Sequence, residues 1–236
     1  IHEKKDLNDE INLLLGDYKA ICNIHTSIYF GNNIDEDLYY KIVQNKDFTN
    51  AKSLLSEDYF HWELEFPQLF FTHKKIDFII GNPPYDVVTF NHFLDSEFSN
   101  VFYGRPNLWQ AFLAKGIELL SGNGKLSMIV PKSLLTDVYN KTLREFLKSN
   151  FTITSIIDIR NRRNTFPGVL QSCIILTITR EKYIDNFTEL GSVEDPSCLT
   201  DKIEIARVPY QKIFLDSKNN SKIIHSPSQE FYDIWT

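Results

Sequence analysis

Cysteine, long apolar runs and an excess of basic residues are all scarce or missing in this 236-residue sequence. The three cysteines, Cys22, Cys173 and Cys198, are an odd number without paired spacing. Neither a disulfide framework nor a zinc site is therefore predicted, and a reducing cytoplasm fits best. No run approaches the roughly 18 apolar residues that span a bilayer, and no signal peptide opens the chain, so no membrane partner is expected.

The net charge of −6 limits the ways in which this chain can bind a polyanion. A stand-alone protein that binds nucleic acid usually carries a basic excess, because phosphate contacts supply much of its affinity. Any such contacts are expected to be local, or to lie in another part of a longer protein. The first residue is Ile rather than Met, which also predicts a piece of a longer polypeptide. A hydrophobic share of 42% predicts that this polypeptide is globular.

Residues 1–72 are predicted to form a helical segment. Apolar residues recur at spacings of three and four from Leu7 to Cys22, which is the pattern of one face of a helix. A second helix is predicted from Asp35 to Gln44, and a short third one after Phe48. No catalytic grouping of residues occurs here, so packing is the expected role of this segment.

Residues 73–180 alternate between strand and helix patterns. The predicted strands are 76–80, 125–131, 151–159 and 170–179, and the predicted helices are 107–120 and about 138–147. This order predicts an α/β fold with a mostly parallel sheet. The last strand follows its neighbour through a short turn, so it is expected to pair antiparallel.

Two further expectations concern the ends of these elements. Asn107 is expected to cap the helix at 107–120, with Leu108, Phe112 and Leu119 on its buried face. Beyond Arg180 the pattern weakens, and residues 181–236 are predicted to be an extension or a linker toward a missing DNA-recognition domain. Within them, residues 203–208 alternate like an exposed strand, and the tail from Ser217 resembles a linker.

The tetrapeptide Asn82-Pro83-Pro84-Tyr85 directly follows the strand at 76–80. Because proline cannot continue a strand, these residues lie at its carboxyl end, where open α/β sheets bind ligands. Asn82 offers an acceptor oxygen, and Pro84 restricts Pro83 to extended geometry, which fixes the direction of its carbonyl. Tyr85 adds a flat stacking face. These groups fit the task of holding a planar amine against an electrophile, with a simple strand-ending turn as the alternative.

This tetrapeptide resembles the NPPY motif of amino-group methyltransferases that use S-adenosylmethionine (SAM), above all the N6-adenine DNA methyltransferases. Further segments resemble the same family in the same order: FHWELEFP at 60–67, NLWQAFLAKGIELL at 107–120, GNGKLSMIVPKSLL at 122–135 and TFPGVLQSCIILTI at 165–178. The set is similar to the methyltransferase region of single-chain type IIG restriction–modification enzymes of bacteria. It implies a partial SAM-methyltransferase (Rossmann-like) sheet over residues 73–180, preceded by a helical segment, in the bacterial cytoplasm.

The resemblance implies methyl transfer from SAM to an adenine flipped out of double-stranded DNA. Asn82 and Pro83 would accept the two amino hydrogens of the base, while Tyr85 and Phe166 would stack on it. For Phe166, the alternative is an apolar anchor of a turn. Pro84 and Phe112 resemble contacts to the adenine of SAM, and for Phe112 a place in the core is an equal alternative.

Arg160, Arg162 and Arg163 form the only compact basic cluster of the sequence. They lie shortly before Phe166, where a DNA backbone would pass if that ring reached the flipped base. A solvated turn is the alternative interpretation of this cluster.

The glycine-rich cofactor loop of the family is missing from this sequence. Only Gly16 and Gly31 precede Ile76, and they stand far apart. We therefore expect the SAM-binding half, a target-recognition domain beyond residue 236 and any nuclease domain to lie elsewhere in the same polypeptide. The strand at 76–80 should then be an exposed edge of the sheet, and the isolated chain should be weakly active or inactive.

Two other functions remain compatible with the tetrapeptide. Protein-glutamine and RNA-guanine methyltransferases share it, although the Phe166 turn and the FHWELEFP segment favour DNA adenine. A non-catalytic DNA-binding or interaction module with a degenerate methyltransferase fold is the third interpretation. The intact motif argues against degeneration, whereas the net charge and the missing loop favour inactivity of this piece.

Overall fold

A computed structural model describes most of the chain in two compact units, Ile1–Lys74 and Lys75–Thr236. The described residues are 2–55, 57–70, 72, 75–87, 98–99, 101–104, 106–160, 171–181, 187–194, 203, 205–215, 221–226 and 228. Among them, no helix is both long enough and apolar enough to cross a membrane.

The first unit is helical, as its sequence predicts. Its helices are α1 (His2–Tyr29), α2 (Glu36–Asn45), α3 (Phe48–Ser53), α4 (Trp62–Glu65) and α5 (Pro67–Phe70). A small core forms from Ala20, Ile24, Ile42 and Ala51, where α2 and α3 pack on the second half of α1. Tyr18, on the predicted apolar face, is exposed, and Ala20 is the first buried residue among the described side chains of α1.

The second unit is built on one six-stranded sheet. Its strands are β1 (Ile76–Gly81), β2 (Leu120–Pro131), β3 (Thr152–Ile159), β4 (Cys173–Thr179), β5 (Phe187–Val193) and β6 (Ile205–Pro209). Their order is β1-β2-β4-β3-β5-β6. Strands β1, β2, β3 and β5 run in one direction, and β4 and β6 run in the other. The predicted mostly parallel sheet with an antiparallel strand after β3 is therefore confirmed.

Two helices cover the apolar side of this sheet, α6 (Leu108–Leu119) and α7 (Lys141–Asn150). The predicted cap of α6 is confirmed, but its predicted buried face is partly wrong. Trp109, Leu113 and Ile117 are buried, whereas Phe112 is 49% exposed. The buried set follows the spacing i, i+4, i+8, which leaves position 112 outside the packed stripe. Gly116 lies so close to β2 that an added Cβ would be 2.6 Å from Leu126 Cδ1.

The residues after Arg180 extend the sheet and do not form a linker where they are described. Strand β5 pairs with β3 and β6 pairs with β5, and Ile213 and Ile223 are buried in the same core. Sequence patterns miss β5 because it is rich in polar residues and is stabilised by its pairing partners.

At the opposite edge of the sheet, β1 has one neighbour, β2, among the described residues. Phe78 is 74% exposed and Ile80 is 87% exposed, although both are apolar and lie in a strand. The expected open edge at β1 is thus present.

Candidate active site

The tetrapeptide begins where β1 ends. Gly81 pairs with Met128 of β2, and the next residues leave the sheet at its carboxyl edge. Asn82 and Pro84 are exposed, Pro83 is buried, and Tyr85 is half-buried against the core. A short segment therefore places the exposed amide of Asn82 and the backbone of Pro83 at the end of a strand.

Two hydrogen-bond acceptors in this segment have no partner among the described residues. No described group donates to the side-chain oxygen of Asn82 or to the carbonyl oxygen of Pro83. The two acceptors belong to neighbouring residues and suit a ligand that carries two N–H donors on one nitrogen.

Tyr85 is fixed at both of its polar ends. Its hydroxyl donates to the carbonyl of Ile129 at 3.0 Å, and its own carbonyl accepts a hydrogen bond from Asn107 Nδ2 at 2.8 Å. Burial, and then contact with the thiol of Cys173, raises the pKa of this hydroxyl far above its usual range. The hydroxyl therefore stays protonated at physiological pH and acts as an anchor rather than as an acid or base.

The start of α6 lies against the end of the tetrapeptide. The backbone N–H of Asn107 donates to Gln110 Oε1 at 2.9 Å, which together with the Asn107 side chain forms a capping box. The backbone N–H of Leu108 donates to the carbonyl of Asp86 at 2.9 Å, and Val87 forms an isolated bridge with Asn107.

A second polar group lies at the carboxyl end of β2, on the same sheet edge as the tetrapeptide. Lys132 follows β2 directly, and its ammonium forms an ion pair with Asp158 of β3. A cleft of about 530 Å³ opens there, lined by Pro131, Lys132, Ser133, Thr136, Asp137, Gln171 and Ser172. Sequence reasoning did not single out Lys132, although a charged residue immediately after a buried strand is a usable signal.

The arginine cluster is described only at its first residue. Arg160 is exposed at the carboxyl end of β3, where its backbone N–H donates to the carbonyl of Val193 at 2.9 Å. This end faces the same way as the end of β1, three strand spacings away, or roughly 14 Å at about 4.8 Å per strand. Arg162, Arg163 and Phe166 lie outside the described residues.

Two exposed residues, Pro84 and Phe112, are the ones predicted to contact SAM. Pro84 and Phe112 are both exposed and offer apolar faces, and the exposure of Phe112 rules out a place in the described core. Gly16 lies inside α1 and Gly31 in the turn that follows it, so neither belongs to a loop after a strand. The described residues therefore do not supply a glycine-rich cofactor turn.

The FHWELEFP segment belongs to the first unit and forms an exposed aromatic group. Trp62 stacks on Phe66 with ring centroids 5.8 Å apart, and Phe60 meets Trp62 edge to face at 5.1 Å. His61 Nε2 lies 2.8 Å from the side-chain oxygen of the buried Asn23. The histidine is thus held in a local hydrogen-bond network.

Comparison with known proteins gives a family and several relatives. The family described as Eco57I restriction-modification methylase matches residues 11–166. The type II methyltransferase M.AccI of Acinetobacter calcoaceticus is 26% identical over 172 residues, which are 70% of this chain and 30% of that protein. M.BstVI of Geobacillus stearothermophilus, also a type II methyltransferase, is 28% identical over 108 residues, 40% of this chain and 19% of that protein.

A solved structure, that of the type IIG restriction endonuclease BpuSI, superposes with a TM-score of 0.47. It is 17% identical, over 62% of this chain and 20% of that one. The chain spans less than a third of the length of M.AccI and of M.BstVI.

Proposed function

Because this chain belongs to the Eco57I restriction-modification methylase family, we propose that it is the catalytic-side part of a site-specific N6-adenine DNA methyltransferase. One observation supports an amino group as the group that receives the methyl. The oxygens of Asn82 and Pro83, which have no donor among the described residues, stand on neighbouring residues at the carboxyl end of β1. An exocyclic amine such as adenine N6 has two N–H donors that match them.

The proposed role of these oxygens is to hold and orient the amine. When each accepts one N–H, the nitrogen lone pair is drawn out of conjugation with the ring and becomes available as a nucleophile. When bound, SAM supplies an electrophilic methyl group. The anchored Tyr85 and the two prolines fix the acceptors before the substrate arrives, so that positioning and hydrogen bonding contribute most of the rate.

Adenine N6 cannot be reached inside a duplex, so the base must be flipped at a cost of a few kcal/mol. Stacking on Tyr85 and on Phe166 offsets this cost, each ring contributing about 1–3 kcal/mol. Arg160, with Arg162 and Arg163, contacts the DNA backbone beside the flipped base. The position of Arg160 at the carboxyl edge of the sheet supports this role. The roles of Arg162 and Arg163 rest on their place in the basic cluster, and that of Phe166 rests on the resemblance.

The rest of the cofactor site comes from protein outside residues 1–236. The open edge of β1, with Phe78 and Ile80 exposed, supports an attachment of further strands there. Pro84 and Phe112 would then form one wall of the SAM site. The target-recognition domain and any nuclease domain also lie outside this chain, which accordingly has weak or no activity by itself.

The test is methylation of a DNA library by the full-length gene product, with the modified nucleosides identified by mass spectrometry. We expect N6-methyladenine, and we expect Asn82→Ala to lower the rate by about 100-fold or more, because one of the two amine acceptors is removed. Asn123→Ala is the matched control, since Asn123 is exposed in the irregular part of β2 between Leu120 and Lys125, which both pair with β1.

Other products would point to other functions. Methylated glutamine or guanine without N6-methyladenine would assign the site to a protein or RNA substrate. Salt-dependent DNA binding without any methyl transfer would identify a non-catalytic module. An Asn82→Ala enzyme with the wild-type rate would contradict the proposed mechanism.

A further inference from the structure

The side chain of Asn107 makes hydrogen bonds of two kinds, and only one kind belongs to the helix that it caps. Its Oδ1 accepts from the backbone N–H of Trp109 at 3.4 Å, which is the ordinary work of an N-cap. Its Nδ2 donates to the carbonyl of Tyr85 at 2.8 Å, across 22 positions of sequence. The second bond ties the helix to the Asn82–Tyr85 segment.

This segment is fixed at both ends. Its amino end is the pairing of Gly81 with Met128, which belongs to the sheet. Its carboxyl end is held by the beginning of α6, through the bond from Asn107 to Tyr85 and the bond from Leu108 to Asp86. Between these ends lie only Asn82, Pro83 and Pro84, and the two prolines have fixed φ angles. Loss of the bond from Asn107 would therefore loosen the carboxyl end and let the acceptor oxygens shift, while the Tyr85 hydroxyl and the Leu108 N–H keep their bonds to Ile129 and Asp86.

The orientation of the Asn107 amide is itself enforced. Its backbone N–H bonds to Gln110 Oε1 at 2.9 Å, and Gln110 Nε2 donates to Asn140 Oδ1 at 2.9 Å. Gln110 is 2% exposed and Asn140 is 5% exposed, so these polar groups are costly to leave unpaired. A carbonyl can only accept, so Nδ2 and not Oδ1 must face Tyr85.

We propose that Asn107 is a positioning residue for methyl transfer, which holds the acceptor oxygens of Asn82 and Pro83 through the carbonyl of Tyr85. This inference takes its substrate from the proposed function, whereas the hydrogen bonds of Asn107 on which it is built do not depend on that function. Among good N-cap residues, Asn is the one that combines a cap acceptor with an amide donor on one side chain.

The variant Asn107→Asp separates the two roles of this residue. Aspartate caps a helix about as well as asparagine, so α6 should stay folded. Its carboxylate has no N–H and faces the Tyr85 carbonyl with a second acceptor, so the tie is lost. We expect the single-turnover rate to fall about 10- to 100-fold, because a displacement of about 1 Å in a reacting group has an effect of that size. SAM and DNA affinities should remain unchanged.

The pH profile gives a second signature that a purely structural defect would not produce. When the introduced carboxyl is protonated, its O–H can donate to the Tyr85 carbonyl. The ratio of the variant rate to the wild-type rate should therefore rise as the pH is lowered. The control is Asp35→Ala, which removes the N-cap of α2, a helix far in sequence from the tetrapeptide. In that cap, Asp35 accepts a hydrogen bond from the backbone N–H of Leu38 at 3.0 Å.

Hydrogen exchange provides a readout that needs no activity. The backbone amides of residues 85–87 in the full-length gene product should exchange faster in Asn107→Asp than in the wild type or in Asp35→Ala. Unchanged exchange, or a wild-type rate of methyl transfer, would overturn the proposal. The proposal would also be overturned if Asn107→Asp lowered the melting temperature and weakened ligand binding while its rate ratio to the wild type did not change with pH. Asn107 would then have only a structural role.

The two hypotheses can fail separately. If the wild-type enzyme methylates an amine other than adenine N6, the proposed substrate is wrong, and the rate ratio on that amine still tests Asn107. If the wild type transfers no methyl group to any substrate, the exchange rates alone decide whether Asn107 holds the segment.

Discussion

At the level of single residues, Tyr85 combines an apolar ring with two fixed polar ends. Its hydroxyl is bonded to a carbonyl of β2, and burial keeps it protonated. The residue types at 82–85 and their place after a strand could be predicted from sequence, because proline and glycine mark strand ends locally. The ties from Tyr85 to Ile129 and to Asn107 could not, since their partners are 44 and 22 residues away.

The variant Tyr85→Phe tests the anchoring role of the hydroxyl. It keeps the stacking ring but removes the donor to Ile129, so the free energy of unfolding should fall by about 1 kcal/mol. The methylation rate should change far less than in Tyr85→Ala, which also loses the ring. Urea unfolding and single-turnover kinetics measure the two effects. An inactive Tyr85→Phe enzyme of normal stability would show that the hydroxyl takes part in chemistry.

At the level of elements, β1, β3 and β4 match the predicted strands closely, because each contains a run of β-branched residues bounded by turn residues. Strand β2 ends where it was predicted to end but begins earlier, at Leu120 rather than Lys125. Strand β5 was not predicted, since Thr188, Glu189 and Ser192 break any apolar pattern. It becomes a strand by pairing with β3 on one side and β6 on the other. The packed face of α6 was also misassigned, because Leu108 and Phe112 are as apolar as the residues that actually pack.

The turn after β2 depends on a buried arginine of α7. Arg144 is fully buried and donates to the carbonyls of Leu134 and Asp137 at 2.9 and 2.7 Å. Burial lowers the pKa of this guanidinium, but arginine remains charged at physiological pH. The turn that follows Lys132 is thus stabilised by charge-assisted hydrogen bonds.

Arg144→Met should lower the free energy of unfolding by about 2–4 kcal/mol, because two carbonyls lose a charged donor while the apolar volume is kept. Lys141→Met on the same helix is the matched control, since it removes only a surface pair with Glu145 at 4.0 Å. Urea unfolding of both variants measures the difference. Equal stabilities would mean that the two hydrogen bonds of Arg144 are not important for the turn.

At the level of the whole second unit, the last described segment closes over the sheet. His225 Nε2 lies 3.1 Å from the carbonyl of Gly191 in β5 and 3.4 Å from that of Ile156 in β3. Burial lowers the pKa of His225, and this effect outweighs the nearby carboxylate of Asp158. Sequence could not predict this contact, since the tail resembles a linker until the strands that it covers are in place.

This histidine should make stability depend on pH in one direction. The unfolded chain binds the proton with a pKa near 6.5, whereas the folded chain binds it more weakly, so stability is lost as the pH falls below about 6.5. His225→Gln keeps an N–H donor but cannot be protonated. Its melting temperature should fall less than that of the wild type between about pH 7.5 and about pH 5.5. If the melting temperatures of the wild type and of His225→Gln fell equally with pH, His225 would not be the source of this pH dependence.

The place of β4 in the sheet has a consequence for the order in which the protein can assemble during synthesis. The ribosome makes β3 before β4, yet β4 lies between β2 and β3 and pairs with both. Strands β1 and β2 can therefore not join β3 until residues 173–179 have left the exit tunnel. Until then, nascent chains expose two unfinished strand edges at once, which is the situation in which chaperones protect a growing polypeptide from aggregation.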